Sequence, residues 1–266
     1  MEEYFLDKFK PNIYLHSDET IQPMSFDDYI KNSELLINGI KIIKKGDVKL
    51  PLQENINKEN YKCLNFVGES KFPNQNDINN IPLYGKVNIL NDKYIDIIYM
   101  LFFPINTGYN ICCNIIGYHS ADLECIILRI NKRFELIENI YLSAHGEIEC
   151  QNYNYKNISY EKNSIRITPI IYCALGSHAV YPKPKTYIRI GGFANDKTNK
   201  GILWKTNNII NLNNRQDILS FKGNLGIDTN KEPSVSDFNR DYLIKENNFK
   251  KKNISFFQRF FLCCYK

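Results

Sequence analysis

Only four histidines, three methionines and one tryptophan occur among the 266 residues. No apolar run is long enough to cross a bilayer as a helix, and the best stretch, Tyr94 to Ile105, is interrupted by Asp96. The opening MEEYFLDKFKP carries acids where a secretory signal needs basic residues and an apolar run. The net charge is a mild +5 and the lysines are scattered, whereas nucleic-acid binding needs a denser basic footprint. Gly-x-Ser-x-Gly is absent, Gly191-Gly192 opens no dinucleotide fingerprint, and no glycine-rich loop ends in Lys-Ser or Lys-Thr. Eight cysteines follow no regular framework, and two pairs, Cys112-Cys113 and Cys263-Cys264, are adjacent in sequence. A reduced, cytoplasmic setting is therefore expected.

What is abundant is aromatic and β-branched: 18 Tyr, 16 Phe and 43% hydrophobic residues, enough for a full core. NIYLH, residues 12–16, reads as a short strand, after which Ser25 and Asp28 form an approximate capping box for a helix. Residues 46–80 are polar and punctuated, and are expected to be an irregular excursion. From Pro82 onward come PLYGKVNIL, KYIDIIYMLFFPIN, LECIILRIN, ELIENIYLSAH, IRITPIIYCAL and TYIRIGGF, short runs separated by Asn, Gly, Asp and Pro. Some alternate, as half-buried strands do; others are apolar throughout, as strands covered on both faces are. The fold class expected is all-β, a β-sandwich with a few peripheral helices. Residues 1–245 read as one domain and 246–266 as a basic, aromatic tail. The polar segment 207–241 holds Phe221 and Leu225, which would anchor it to the core.

Three of the four histidines fall in small motifs near strand ends: His119 in GYHSADLE, His145 in YLSAHGE, His178 in ALGSHAVYP. Asp122 and Glu124 lie two apart, so on a strand both point the same way, with Leu123 toward the core. Imidazole and carboxylate together suit a divalent ion, yet spacing alone favours hydrogen-bonded histidines at strand ends. Cys125 and Cys150 read as buried, inert thiols, and Asp196-Lys197-Thr198-Asn199 as a turn rather than a site.

GYHSADLECIILRI resembles the histidine-containing Gly-Asp-Trp-Glu strand of the fungal vacuolar-protein-sorting family numbered sixty-two and its plant relatives. YLSAHGE resembles that family's Ser-x-His segment, PIIYCALGSHAVYP its Gly-Ser-His-Ala motif, YLHSDETIQPMS its opening, and GFANDKTNKGILW its Asp-Lys-Thr turn before a Trp. The match runs from about residue 12 to 225. It departs at Ala121-Asp122-Leu123-Glu124, which keeps both carboxylates and lacks the indole. A wider similarity is to necrosis-inducing toxins, whose His-Asp-Trp-Glu stretch helps hold a divalent metal on a β-sandwich. These resemblances imply a divalent ion or polar site at His119, Asp122 and Glu124, with His145 and His178 converging on the same end of the sandwich.

The tail, after Lys250-Lys251-Lys252, places Phe256, Phe257, Phe260, Phe261 and Cys264 on one helical face. With Cys263 and Cys264 open to acylation, it would bind an anionic membrane; packing against the sandwich is the competing reading. The resemblance implies a peripheral protein in membrane traffic. The rivals are a metal-dependent hydrolase using the five polar residues, and a structural or virion-type component.

Overall fold

The computed structural model describes residues 1–57, 62–68, 75–111, 114–145, 147–152, 158–162, 167–189 and 192–227. Its centre is a six-stranded sheet in the order Glu147–Asn152, Leu136–Ala144, His119–Asn131, Tyr94–Asn106, Leu83–Ile89, Ile209–Asn211. Neighbours are antiparallel except the last pair, which is parallel. A second sheet runs Ser159–Lys162, Ile167–Cys173, Asn12–Leu15, Ile202–Trp204, with Val180–Tyr181 also paired to Ile167–Cys173. A third runs Asn224–Leu225, Lys62–Phe66, Ser33–Ile37, Ile40–Ile43.

The 13-residue strand Tyr94–Asn106 explains the architecture. Its odd positions, Ile95, Ile97, Tyr99, Leu101 and Phe103, pack in one core with Ile13, Leu15, Ile171 and Trp204 of the second sheet. Its even positions, Ile98, Met100 and Phe102, pack in another core with Phe26, Tyr29, Leu35 and Leu64. The sheet is thus covered on both faces, and a strand so covered has no polar side to show. Each large apolar side chain so buried contributes about 1.5–3 kcal/mol.

The helix Phe26–Lys31 starts where the capping residues place it. Ser25 Oγ accepts from the Asp28 amide at 3.0 Å and donates to Asp28 Oδ2 at 2.6 Å. The helix buries Phe26, Tyr29 and Ile30 on the second core. Phe221 and Leu225 are buried there too, so the polar segment around them is anchored as expected.

Two local expectations need correcting. The 46–80 excursion contains the strand Lys62–Phe66, which lies inside the third sheet. Cys63 and Leu64 pair on both sides, so the strand is held by partners distant in sequence. TYIRIGGF shortens to the two-residue strand Thr186–Tyr187, paired with Asp196–Lys197. The tail, with Phe256, Phe257, Phe260, Phe261, Cys263 and Cys264, lies outside the described residues. Among the described residues no helix is long and apolar enough to cross a membrane.

Candidate functional site

Asp122 sits opposite Phe103 and Glu124 opposite Leu101, so both carboxylates face the core between the first and second sheets. The expected orientation is therefore inverted. Leu123 points to the other core, and the acids occupy the inter-sheet interior with 6% and 5% of their surface exposed. Opposite Ala121 the partner strand carries Pro104, which has no N–H to give the ladder, and Ala121 adopts φ 52°.

The loop from Ala174 to Ala179 brings a histidine to the acids. It turns tightly: the His178 amide donates to Ala174 O at 3.1 Å, and Gly176 and His178 take φ of 73° and 53°. Side chains rarely adopt that region, and His145 does so as well, at 55°. Among the described residues, three of the five non-glycine residues with positive φ, Ala121, His145 and His178, therefore lie in this one region, a concentration of backbone strain typical of functional sites.

His178 is fully buried. Its Nδ1 is 2.9 Å from Asp122 Oδ2, which also accepts from Asn106 Nδ2 at 3.0 Å. Nε2 lies 3.7 Å from Glu19 Oε2 and makes no hydrogen bond, so Glu19 acts on it through charge alone. Glu19 is itself fixed by backbone amides, from Thr20 and Ile21 on Oε1 and from Gly176 on Oε2 at 2.7 Å. Burial disfavours the charged imidazole, but Asp122 and Glu19 outweigh it and push its pKa up to about 9. Burial likewise works against the Glu19 carboxylate, and His178 with the Gly176 and Ile21 amides holds it below the usual range.

Asp196, fully buried, is the hub of a second group. Its Oδ1 accepts from Ser177 Oγ at 2.7 Å and from Tyr109 Oη, its Oδ2 from Tyr181 Oη at 2.5 Å and His145 Nε2 at 2.7 Å. Burial opposes its charge, but His145 and the two phenols keep it well below the normal carboxylate range. Tyr109 and Tyr181 are driven upward by burial and by the charge of Asp196, so both remain donors. Ser177 and His178 are consecutive, which joins the two groups. Glu124 feels Asp122 and Asp196; burial first and that repulsion second raise it well above an ordinary glutamate, while Ser143 Oγ bonds it.

Of the five residues expected together, Asp122, Glu124 and His178 lie in the polar interior, and His145, itself exposed, reaches it through its contact with buried Asp196. His119 is turned back on its own strand, with Nδ1 2.7 Å from Ala121 O. Glu19, Asn106, Tyr109, Ser177, Tyr181 and Asp196 were not expected as members. Glu19, Ser177 and Asp196 fall inside the recognised motifs, but no spacing rule marks them. Asp196, read as a turn residue, is the most heavily bonded acid of the group.

Among the described residues no group of three or more His, Cys, Asp and Glu side chains is arranged to hold a metal ion. Asp122, Glu19 and Asp196 are engaged by protein donors. Beside the network opens a cleft of ≈ 480 Å³, whose lining includes Thr107, Tyr109, Gly176, Phe193, Asn195 and Lys197. Tyr109 and Gly176 connect it directly to the two buried groups. A Cβ at Gly176 would run into Thr107 Oγ1, so this close approach needs glycine.

The fold and site define a β-rich protein that buries a histidine–carboxylate network between two sheets at the edge of a cleft. Residues 3–252 match the family described as vacuolar protein sorting-associated protein 62, and the chain belongs to that family. No curated protein matches it in sequence. Similar solved structures include NLPPya in complex with mannosamine, 16% identical over 85% of this chain and 83% of that one, TM-score 0.44. They also include Necrosis and Ethylene inducing Protein 2 from the causal agent of cocoa's Witches Broom disease, 14% identical over 67% of each chain, TM-score 0.38. A structure described as a toxin fold for microbial attack and plant defense is 16% identical over 79% of this chain and 74% of that one, TM-score 0.41. These distant likenesses carry no argument about ligand or activity.

Proposed function

We propose that this protein is a non-catalytic binding module of vacuolar protein sorting, peripheral to a membrane. Its histidine–carboxylate network serves as a scaffold that fixes the loops around the cleft. The observation that carries this reading is the closure of the network: Asp196 is sealed from solvent and engaged by four side-chain donors. A general base or nucleophile has to reach its substrate. Here the acids reach only their own protein donors, and among the described residues no serine or cysteine side chain is hydrogen-bonded to His145. The family supports the sorting half of the reading. The basic, aromatic pattern of the tail supports the membrane half.

Deleting the gene should send a soluble vacuolar hydrolase to the medium, and restoring the gene should return it. Normal sorting in the deletion strain would overturn the sorting role. The purified protein should leave p-nitrophenyl esters and phosphates unchanged with or without added zinc, magnesium or manganese. Turnover that disappears in His145→Ala would establish a hydrolase instead.

A further inference from the structure

Two segments wall the cleft, and both present apolar side chains to solvent. The first is the hairpin of Tyr109–Ile111 and Asn114–Ile116, in which Ile115 pairs with Asn110. Ile115 is 60% exposed, and Tyr118, just beyond the hairpin, 52%. The second is residues 183–200, which turn back through the pairing of Thr186–Tyr187 with Asp196–Lys197. Ile188 is 78% exposed and Phe193, on the cleft itself, 69%. Single exposed hydrophobics are ordinary, but four stand on the two segments that line this one cleft, with Phe193 on the cleft itself.

The charge around that cleft has one sign. Residues 183–200 contain Lys183, Lys185, Arg189, Lys197 and Lys200, and the four lysines are exposed. The acid in the same segment, Asp196, is sealed inside, where its carboxylate is engaged by protein donors. Residues 107–118 contain no charged side chain. Cations ringing a protruding phenyl and a protruding sec-butyl group complement a surface that is anionic outside and apolar beneath. That combination describes a phospholipid bilayer and not a soluble phosphate, which would leave Ile188 and Phe193 with nothing to gain.

We infer that this end of the sandwich docks on an anionic phospholipid membrane, with Phe193 and Ile188 entering the interface and the lysines of residues 183–200 facing lipid phosphates. The buried network ties the described parts of these segments to the sandwich. Leu175 N donates to Lys197 O at 3.0 Å, and Asp196 ties the second segment to Tyr109 of the first. The inference deepens the membrane half of the proposed function and rests on it.

The test is flotation of the full chain with vesicles of phosphatidylcholine alone or with phosphatidylserine added, at low salt and in 0.5 M salt. The wild-type chain should float with the anionic vesicles at low salt, and much less with neutral ones or in high salt. Ile188→Asp/Phe193→Asp should abolish flotation, and Lys185→Glu/Lys197→Glu should weaken it by about tenfold or more, with melting temperatures unchanged. Flotation of Ile188→Asp/Phe193→Asp equal to wild type would overturn the inference and leave attachment to another part of the chain. Equal binding to neutral vesicles, or none to anionic ones, would overturn it as well. Because flotation is measured apart from hydrolase sorting, a failure here with intact sorting removes the docking face and keeps the sorting role.

Discussion

The imidazole of His178 lies flat on the ring of Phe103, centroids 3.8 Å apart and planes 2° from parallel. Phe103 belongs to the central sheet and His178 to the loop after Ile167–Cys173, so this contact locks the loop onto the sandwich interior. A protonated ring in that position gains from the aromatic face beneath it and from Asp122 and Glu19 beside it.

The two carboxylates beside that ring, Asp122 and Glu19, set the protein's pH dependence. The folded-state pKa of His178 is about 9, against about 6.5 for a free histidine. The stabilisation is complete below the lower value and is lost as pH rises through the upper one. It is on the order of 3 kcal/mol, because folding holds the proton more tightly. Urea midpoints measured from pH 6 to 9.5 should fall for the wild type. His178→Leu should start lower at pH 6 and lose that component of the slope. Parallel profiles for the two proteins would mean that the ring is neutral in the folded state.

Asp196 and Lys197 are neighbours with opposite consequences. Asp196→Ala leaves His145, Ser177, Tyr109 and Tyr181 without their shared acceptor and should cost about 3–5 kcal/mol, the scale of breaking a buried ion pair. Lys197 is exposed, and Lys197→Ala should change stability by less than about 0.5 kcal/mol. Chemical unfolding of both variants separates a hub from a turn residue.

Asp96 and Arg129 form a bidentate pair across the central sheet, at 2.9 and 3.0 Å, with both side chains buried. Asp96→Leu alone removes the buried guanidinium's bidentate carboxylate and should destabilise by about 3–5 kcal/mol. The double change Asp96→Leu/Arg129→Met should recover most of that loss, because the pair's attraction repays little beyond its own desolvation. A double variant as unstable as the single one would show that the pair contributes net stability.

Metal dependence is tested by chelation. With the acids occupied by protein donors, EDTA should leave the melting temperature of protein purified without an affinity-metal step unchanged. A fall of several degrees, abolished by Asp122→Ala, would restore the ion that the family resemblances imply at His119, Asp122 and Glu124.

The sequence by itself determined the class of the fold, because strand periodicity and turn residues are local properties. The run from Tyr94 to Ile105 read as a β strand, apolar almost throughout, and Ser25 with Asp28 marked a helix start that needs no distant partner. It also located the motifs carrying Asp122, His145 and His178. What it left open was direction and company. Alternation shows that Asp122 and Glu124 share a face, but which face is interior depends on the second sheet, whose strand Asn12–Leu15 pairs with Ile167–Cys173 from more than 150 residues away. Asp196 looked like a turn because its immediate neighbours are polar; its donors, Tyr109, His145, Ser177 and Tyr181, come from four other places in the chain. Tertiary structure alone decides such a network, since a buried carboxylate is stabilised by whatever donors the packing of distant strands delivers to it.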